Sequence, residues 1–380
     1  MGHPMFTEEH EMLRKSIRSF VEKEMLPYAE AWETAGEIPV SLFRRMGALG
    51  FLGLRYPRQY GGQGGDYLCA VILAEEMAGC GMGGPGMAIA VQTEMATPPI
   101  FRFGTEDQKQ RFLVPAIKGE KIACLGITEP NAGSDVASIQ TRARPDGNGW
   151  VLNGRKIFIT NGVNADFIVL LARTGDTGRG MSLFLVEKGT PGFEVTRKLD
   201  KLGMRSSDTA ELLFEDCRVP PENLLGGEGK GFRQIMWELQ GERIAGAANA
   251  VGRAQNAFDL ALKYARERVQ FGHPLSEFQV IRHYFSEMAA ELEAARQLIY
   301  SVAWRFHQGE YPVREIAMAK LVATNAAFRV ADRALQIHVG YGYMMEYPVH
   351  RYWRDIRLGR IGGGTDEIMK EIIAKDLFGK

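Results

Sequence analysis

The chain has 380 residues, with 46 Lys plus Arg against 46 Asp plus Glu and a formal net charge of +0. That length suits two or three domains around sizeable cores. The even charge carries no polybasic signal for nucleic acid or an anionic membrane, which leaves a small molecule or a protein as the expected partner. Cys69, Cys80, Cys124 and Cys217 show neither CxxC nor Cys/His ligand spacing. No structural metal and no disulfide framework is therefore expected, in keeping with a reduced compartment. No apolar run approaches the roughly 18 to 20 residues that span a bilayer. The start MGHPMFTEEH lacks a basic region followed by an apolar one. The expected location is the cytoplasm, or the mitochondrial matrix for a processed eukaryotic chain.

The first third reads as helices joined by Gly- and Pro-rich turns. Thr7 followed by Glu8 and Glu9 forms an N-cap with first-turn acids, after which Met12, Leu13, Ile17, Phe20 and Val21 mark one face. Further helices are predicted over 41–49, 67–78 and 106–117, with YGGQGGD and GCGMGGPG between them. Gly79, Gly81 and Gly84 spell GxGxxG. A dinucleotide fingerprint must follow a strand and open a helix, whereas helical spacing precedes this one and Pro85 follows, so it is read as a turn.

From Lys121 the texture changes to short alternating or apolar runs: IACLGI, ASIQTRA, WVLNG, KIFIT, FIVLLA, MSLFLVE, FEVTRK and AELLFEDCRV. Gly, Asn, Asp and Pro separate them, the pattern of an all-β sandwich or barrel. Beyond Gly231 long helices return, over 231–267, 276–307, 312–340 and 365–377. Short connections between amphipathic helices of this length imply a four-helix bundle. The expected fold is α+β and multi-domain. An N-terminal helical domain spans 1–120, a central β-barrel or sandwich domain 121–228, and a C-terminal four-helix bundle 229–380.

Four stretches carry candidate chemistry. On the helix that opens the bundle, Phe232, Ile235, Leu239, Ala245, Gly246 and Asn249 draw one mostly apolar face, and Glu242 falls on it. Such an acid is either a base with a raised pKa or a buried partner of Arg243. In GITEPNAGSD, residues 126–135, Thr128, Ser134 and a glycine-flanked backbone suit a flat polar ligand or an ordinary strand-end turn. KIFITNG, residues 156–162, alternates so that Phe158 and Thr160 share a face, to flank a heteroaromatic ring or to pack a core. In IGGGTDEIMKEII, residues 361–373, Thr365 is an N-cap with Asp366 and Glu367 in the first turn. Its glycines permit close backbone approach to a ligand or merely a flexible turn before a capped helix.

With these segments in view, nearly the whole chain resembles the acyl-CoA dehydrogenase family, in the same helix, β, helix order. GITEPNAGSDVAS, residues 126–138, fits the family's first signature at every position. QIHVGYGYMMEYPVHRYWRD, residues 336–355, fits the second except that Val339 stands where glycine is usual. RVQFG at 268–272 and GTDEI at 364–368 match two further segments. The resemblance implies FAD held between the β domain and the bundle, with Leu125, Ile127, Thr128, Ser134, Phe158, Ile159 and Thr160 at the flavin part. Arg268, Phe271, Gln279, Gln336 and Gly340 would come from a neighbouring subunit to the diphosphate and adenosine portions, with Thr365 and Glu367 completing the contacts. Ser134, Arg243, Gly363 and Gly364 would line the acyl-CoA path.

The implied reaction is α,β-dehydrogenation of an acyl-CoA to the trans-2-enoyl-CoA, with electrons passed to an electron-transferring flavoprotein by a homotetramer built as a dimer of dimers. Two departures from the family pattern matter. Many members carry the catalytic Glu just before the GT of the last helix, where this chain has Gly363, whereas the isovaleryl and long-chain branch places it before an Arg on the helix opening the bundle, as in Glu242-Arg243. Phe158 replaces the more usual Trp beside the flavin. Missing volume at Gly362 and Gly363 and the tail GYGYMMEYP point to a medium, long or branched acyl group. An oxygen-using oxidase or flavin monooxygenase of the same fold is the alternative, and a silent flavin- and acyl-CoA-binding scaffold the other.

Overall fold

The structure, a computed structural model, describes residues 3–176 and 180–379. It begins with α1 (Glu8–Glu24), α2 (Ala29–Ala35), α3 (Ser41–Ala48), α4 (Tyr67–Met77), α5 (Gly84–Ala90), α6 (Thr97–Phe103), α7 (Glu106–Gln108) and α8 (Val114–Ile117). Thr7 caps α1 as expected, and His10 rather than an acid closes the capping box by accepting from the Thr7 N–H. The other His10 ring nitrogen lies 3.0 Å from Asp66 Oδ1, and Asp66 in turn caps α4. One short relay of polar contacts thus fixes two helix starts. Gly79 and Gly81 lie in the turn between α4 and α5 and Gly84 opens α5, with helix and no strand before them.

The helical run from Gly84 to Phe103 was not expected from sequence. Pro85 sits in the first turn of α5, where its missing N–H costs nothing. Before Pro98 and Pro99 the helix widens into a π segment, Val91–Ala96, where Thr97 Oγ1 donates to the Gln92 carbonyl at 2.6 Å. Helix therefore continues through a sequence that reads as broken.

The middle of the chain forms one eight-stranded sheet rather than a closed barrel. Its strands are β1 (Ala123–Gly126), β2 (Arg142–Asp146), β3 (Gly149–Thr160), β4 (Phe167–Arg173), β5 (Met181–Glu187), β6 (Phe193–Lys198), β7 (Thr209–Val219) and β8 (Leu224–Leu225). They run in the order β6-β7-β3-β2-β4-β5-β8, with β1 parallel to β4. WVLNG and KIFIT join into the single strand β3, and ASIQTRA starts in a 3₁₀ turn, Val136–Ser138, and ends in the first residues of β2. Side chains of β4 and β5 alternate between two cores. Phe167, Val169, Leu171, Leu183 and Leu185 pack with Phe112 and Ile235, while Ile168, Leu170, Phe184 and Val186 pack with Leu152, Ile159 and Phe214 of β3 and β7. Burial on both faces explains why FIVLLA and MSLFLVE are almost continuously apolar.

The last part holds α9 (Gly231–Glu267), α10 (Gln279–His307), α11 (Val313–His338), α12 (Val349–Ile356) and α13 (Asp366–Leu377). Ala247, Ala250, Ala254, Ala257, Ala261 and Ala265 line the buried side of α9, and Ala319, Ala323, Ala327, Ala331 and Ala334 that of α11, so the two backbones approach closely. Tyr67, Leu68 and Val71 of α4 enter the same core, which ties the first helices to the bundle. Val339 ends α11 at φ 47, a conformation that strains a β-branched residue. Among the described residues no helix is long and apolar enough to cross a membrane.

Candidate active site

Glu242 sits about three turns into α9, partly buried, and among the described residues its carboxylate takes no hydrogen-bond or ion-pair partner. Its Oε1 lies 3.0 Å from the point where a Cβ on Gly363 would stand. The acid therefore fills the space that a side chain at 363 would enter. Arg243 is buried and does not neutralise Glu242 through a contact; its Nε donates to the Gly363 carbonyl at 3.0 Å. Lys320 of α11, also buried, donates to the Gly364 carbonyl. Two cations thus pin a turn whose glycines have φ +65 and +97, values that favour glycine. Burial raises the Glu242 pKa, while Arg243 and Lys320 pull it back. Burial lowers Lys320 to about 8. A carboxylate in that condition can accept a proton from a weak carbon acid.

The helical run α5 to α6 lies antiparallel along this part of α9. Phe103 meets Trp237 edge-on, the Glu94 carbonyl approaches Gly241, and Gly86 approaches Asn249. Between these contacts Met87, Ala90 and Met95 on one side, and Glu242, Gly246 and Asn249 on the other, stay partly or fully accessible. Of the face expected to be apolar, Ile235 and Ala245 are buried, Phe232, Leu239 and Asn249 partly so, and Gly246 is exposed. A Cβ at Gly246 would meet nothing within 4 Å. The open space is therefore beside Gly246, one turn from the acid, and not at Gly363.

The β domain contributes a second wall. Ile157 N–H donates to the Thr128 carbonyl at 2.9 Å, which brings the 126–135 loop against the end of β3. A buried ion pair holds that loop: Lys156 Nζ reaches Glu129 Oε1 and the Ile127 carbonyl, each at 2.8 Å, and Glu129 accepts from the Gln140 and Thr141 N–H groups. Sequence reading passed over both residues. Phe158 stands 66% exposed at φ 61 beside a bulge, a large ring left out of the core. Thr160, Leu125, Ile127 and Thr128 are half-buried and Ser134 is exposed. Ile159 departs from expectation, since its side chain is 2% exposed and packs in the sheet core. Alternation along β3 sends it away from the face that carries Phe158 and Thr160. Asn161 then donates to the Ala88 carbonyl at 2.9 Å, linking this wall to α5 and so to the cleft at Glu242.

The remaining residues fall into two places. Thr365 caps α13, accepting from the Ile368 N–H, with Glu367 exposed in the first turn and Asp366 buried against Arg360 and Asn325. Arg268, Phe271, Gln279, Gln336 and Gly340 gather at the opposite end of the bundle, all at least partly exposed, with Phe271 92% exposed. At 1.5 Å per residue, Arg268 lies about 40 Å along the α9 axis from Glu242. One copy of the chain cannot bring that group to its own cleft.

A partly buried carboxylate stands against a glycine turn held by cations, and the β-domain wall carries an unburied aromatic ring. Residues 7–120, 124–217 and 229–378 match the N-terminal, middle and C-terminal domains of acyl-CoA dehydrogenase. The chain belongs to the acyl-CoA dehydrogenase family. It is 42% identical over 375 residues to the short-chain specific acyl-CoA dehydrogenase of Clostridium acetobutylicum, covering 98% of this chain and 98% of that protein. The solved butyryl-CoA dehydrogenase of Megasphaera elsdenii superposes with a TM-score of 0.96 at 39% identity, covering 100% of both chains. The glutaryl-CoA dehydrogenase of Mycobacterium smegmatis, solved in complex with FADH2, gives a TM-score of 0.94 at 29% identity, covering 99% of this chain and 96% of that one.

This acyl-CoA dehydrogenase family member is accordingly an FAD-dependent oxidoreductase. Its residues fit a flat heteroaromatic group. Phe158 exposes a ring to stack, and Thr128 and Thr160 offer hydroxyls on the neighbouring backbone.

Proposed function

We propose that this chain performs α,β-dehydrogenation of an acyl-CoA thioester, with Glu242 as the base that removes the α proton. The observation that carries the reading is the Glu242 carboxylate, unpaired and lying where a side chain at Gly363 would stand. Phe158 and Thr160 would hold FAD, which would supply the acceptor for the β hydrogen leaving as hydride. The protein's own work is to hold the thioester against the Gly363-Gly364 turn. Hydrogen bonds from backbone there to the thioester oxygen acidify the α carbon, and the cleft walls keep water from the reacting bond. Arg243 and Lys320 keep that turn in place. They also oppose the rise in the Glu242 pKa that burial causes.

For the acyl group we infer a short main chain with room for a branch. The free volume beside Gly246 supports a branch near the reacting carbons. Asn249, tied to the Ala74 carbonyl at 2.8 Å and close against Gly86, supports a cleft end about 10 Å along α9 from Glu242. The names of the Clostridium and Megasphaera relatives favour a short chain over a long one. Electrons would pass to an electron-transferring flavoprotein. The distance between Glu242 and the Arg268 group supports a second copy completing each FAD site, within a dimer-of-dimers homotetramer.

The test is anaerobic flavin bleaching by a series of straight and branched acyl-CoAs, followed by kcat/KM for each and by reoxidation with either oxygen or an electron-transferring flavoprotein. Bleaching by short branched thioesters with flavoprotein-dependent reoxidation is expected. Rapid reoxidation by oxygen alone would overturn the dehydrogenase reading, and strict preference for long straight chains would overturn the reading of the pocket.

A further inference from the structure

The loop between β6 and β7, residues 199–208, carries a lysine that the proposed reaction does not use. The Lys201 ammonium donates to the Ser207 carbonyl, to Ser207 Oγ at 3.1 Å and to Thr209 Oγ1 at 2.8 Å. All three acceptors are neutral, so they occupy the three donors of the ammonium and leave its charge in place. Among the described residues no carboxylate stands within ion-pair distance of it. The nearby acids are engaged elsewhere. Asp208 accepts from the Val163 N–H and the Asn164 side chain, Asp355 from the Met204 N–H, and Asp200 from the backbone N–H of Lys201. Glu33 holds the same loop by accepting from the Ser206 N–H and hydroxyl.

Strand register places this charge behind the wall that carries Phe158 and Thr160. Thr209 of β7 pairs with Thr160 of β3, and the next pair, Ala210 with Ile159, points into the sheet core. Alternation therefore turns Thr209 and Thr160 together to the opposite face, with Cβ atoms about 4.5 to 5.5 Å apart. Through its bond to Thr209 the ammonium comes within about 10 Å of the Thr160 side chain. The loop is tied to the end of β3 as well, since the Leu199 N–H donates to the Thr209 carbonyl at 2.7 Å and the Asn161 N–H to the Asp208 carbonyl at 3.3 Å. Burial lowers the Lys201 pKa to about 8, with Asp208, Asp355 and Asp200 opposing the fall and Lys198 adding to it, so the group stays an ammonium at neutral pH. An ammonium held only by neutral oxygens is a costly way to close a turn, because no counter-charge offsets its lost hydration. A negative charge beside Thr160 would offset it.

Reduction of FAD brings such a charge. A hydride carries two electrons and one proton, so FAD that accepts one gains a single negative charge. We propose that Lys201 sets the reduction potential of the bound FAD, its ammonium behind the Thr160–Thr209 pair stabilising the reduced form over the oxidised one. Lys201 acts here as a positioning residue, through its field, and neither a proton nor an electron passes to it. Charge near the reacting ring is one of the means by which a protein tunes a flavin. At about 10 Å and an effective dielectric of about 20, the attraction changes the ratio of the two forms about tenfold. The bonds to Ser207 and Thr209 fix the distance, so the field is in place before the electrons arrive. The inference rests on the proposed placement of FAD along Phe158 and Thr160.

Anaerobic titration of the FAD-loaded protein with dithionite, in equilibrium with a reference dye, measures the potential without any acyl-CoA. Lys201→Met is expected to lower the ratio of reduced to oxidised FAD at a fixed dye poise about tenfold, a fall of about 30 mV for a two-electron couple. Lys201→Arg keeps the charge and is expected to stay within about twofold of wild type. An unchanged potential in Lys201→Met overturns the proposal, and so does an equal fall in both variants, which marks a structural role. Where Lys201→Met does not fold, Thr209→Val decides, because it frees the ammonium from the wall. A fall of about threefold in the ratio supports the proposal there, and an unchanged potential overturns it. Failure of the underlying function shows separately. Phe158→Ala and Thr160→Val with unaltered flavin spectra and flavin content overturn the placement of FAD, and wild-type protein that acyl-CoA does not bleach overturns the dehydrogenation.

Discussion

Glu242 and Gly363 are complementary: Oε1 of one lies 3.0 Å from the place a Cβ on the other would take. Volume absent at 363 is therefore used by the acid and is not open to substrate.

Gly363→Ala is expected to slow flavin bleaching and lower thermal stability together. The new methyl would crowd Oε1, and φ +65 at that position costs a non-glycine residue about 1 kcal/mol. The same relationship predicts that moving the carboxylate works in part. The double variant Glu242→Gly with Gly363→Glu should bleach measurably faster than Glu242→Gly alone, as followed by stopped-flow absorbance.

Lys320→Met should move the acid limb of the kcat/KM profile to higher pH. Burial raises Glu242 above its ordinary value and Lys320 opposes that rise. Removing the ammonium therefore raises the pKa further, and the base form appears only at higher pH. The Gly364 carbonyl would lose its donor as well, so a lower maximum rate should accompany the shift.

Lys156→Met should destabilise the fold by about 3 to 5 kcal/mol, because Glu129 would remain buried without its cation. Thermal melting measures the loss. Flavin content should fall with it, since the pair anchors the loop that carries Thr128 and Ser134. The Glu129 carboxyl is held below its ordinary pKa, so its contribution is present above the unfolded-state value and is lost as pH falls through the folded one. Wild type should therefore lose more stability in acid than Glu129→Gln does.

Phe271→Asp, at the far end of the bundle, should lower bound FAD and shift the assembly towards smaller species in analytical ultracentrifugation. A ring 92% exposed in one copy is a surface that a second copy can cover. Unchanged mass and flavin content would remove that end of the bundle from the shared site.

Much of this arrangement was legible from local pattern. Thr7 and Thr365 announced their helices, the long bundle helices followed their apolar spacing, and Glu242 stood out as an acid on a mostly apolar face. The run from Gly84 to Phe103 was hidden because its glycines and prolines read as breaks, while the π segment that accommodates them has no pattern of its own. An open rather than closed sheet depends on pairings between distant strands, which alternation along each strand does not specify. Lys156 and Lys320 were missed for one reason. The role of each depends on Glu129 or the Gly364 carbonyl, which only the fold brings close.

The central claim is that Glu242 removes the α proton, and Glu242→Gln tests it most directly. The variant removes the base without changing the shape of the side chain. FAD-loaded Glu242→Gln should keep its flavin spectrum and bind acyl-CoA, yet bleach slower than wild type by a factor of about a hundred or more under anaerobic conditions. Bleaching at the wild-type rate would show that another group takes the proton.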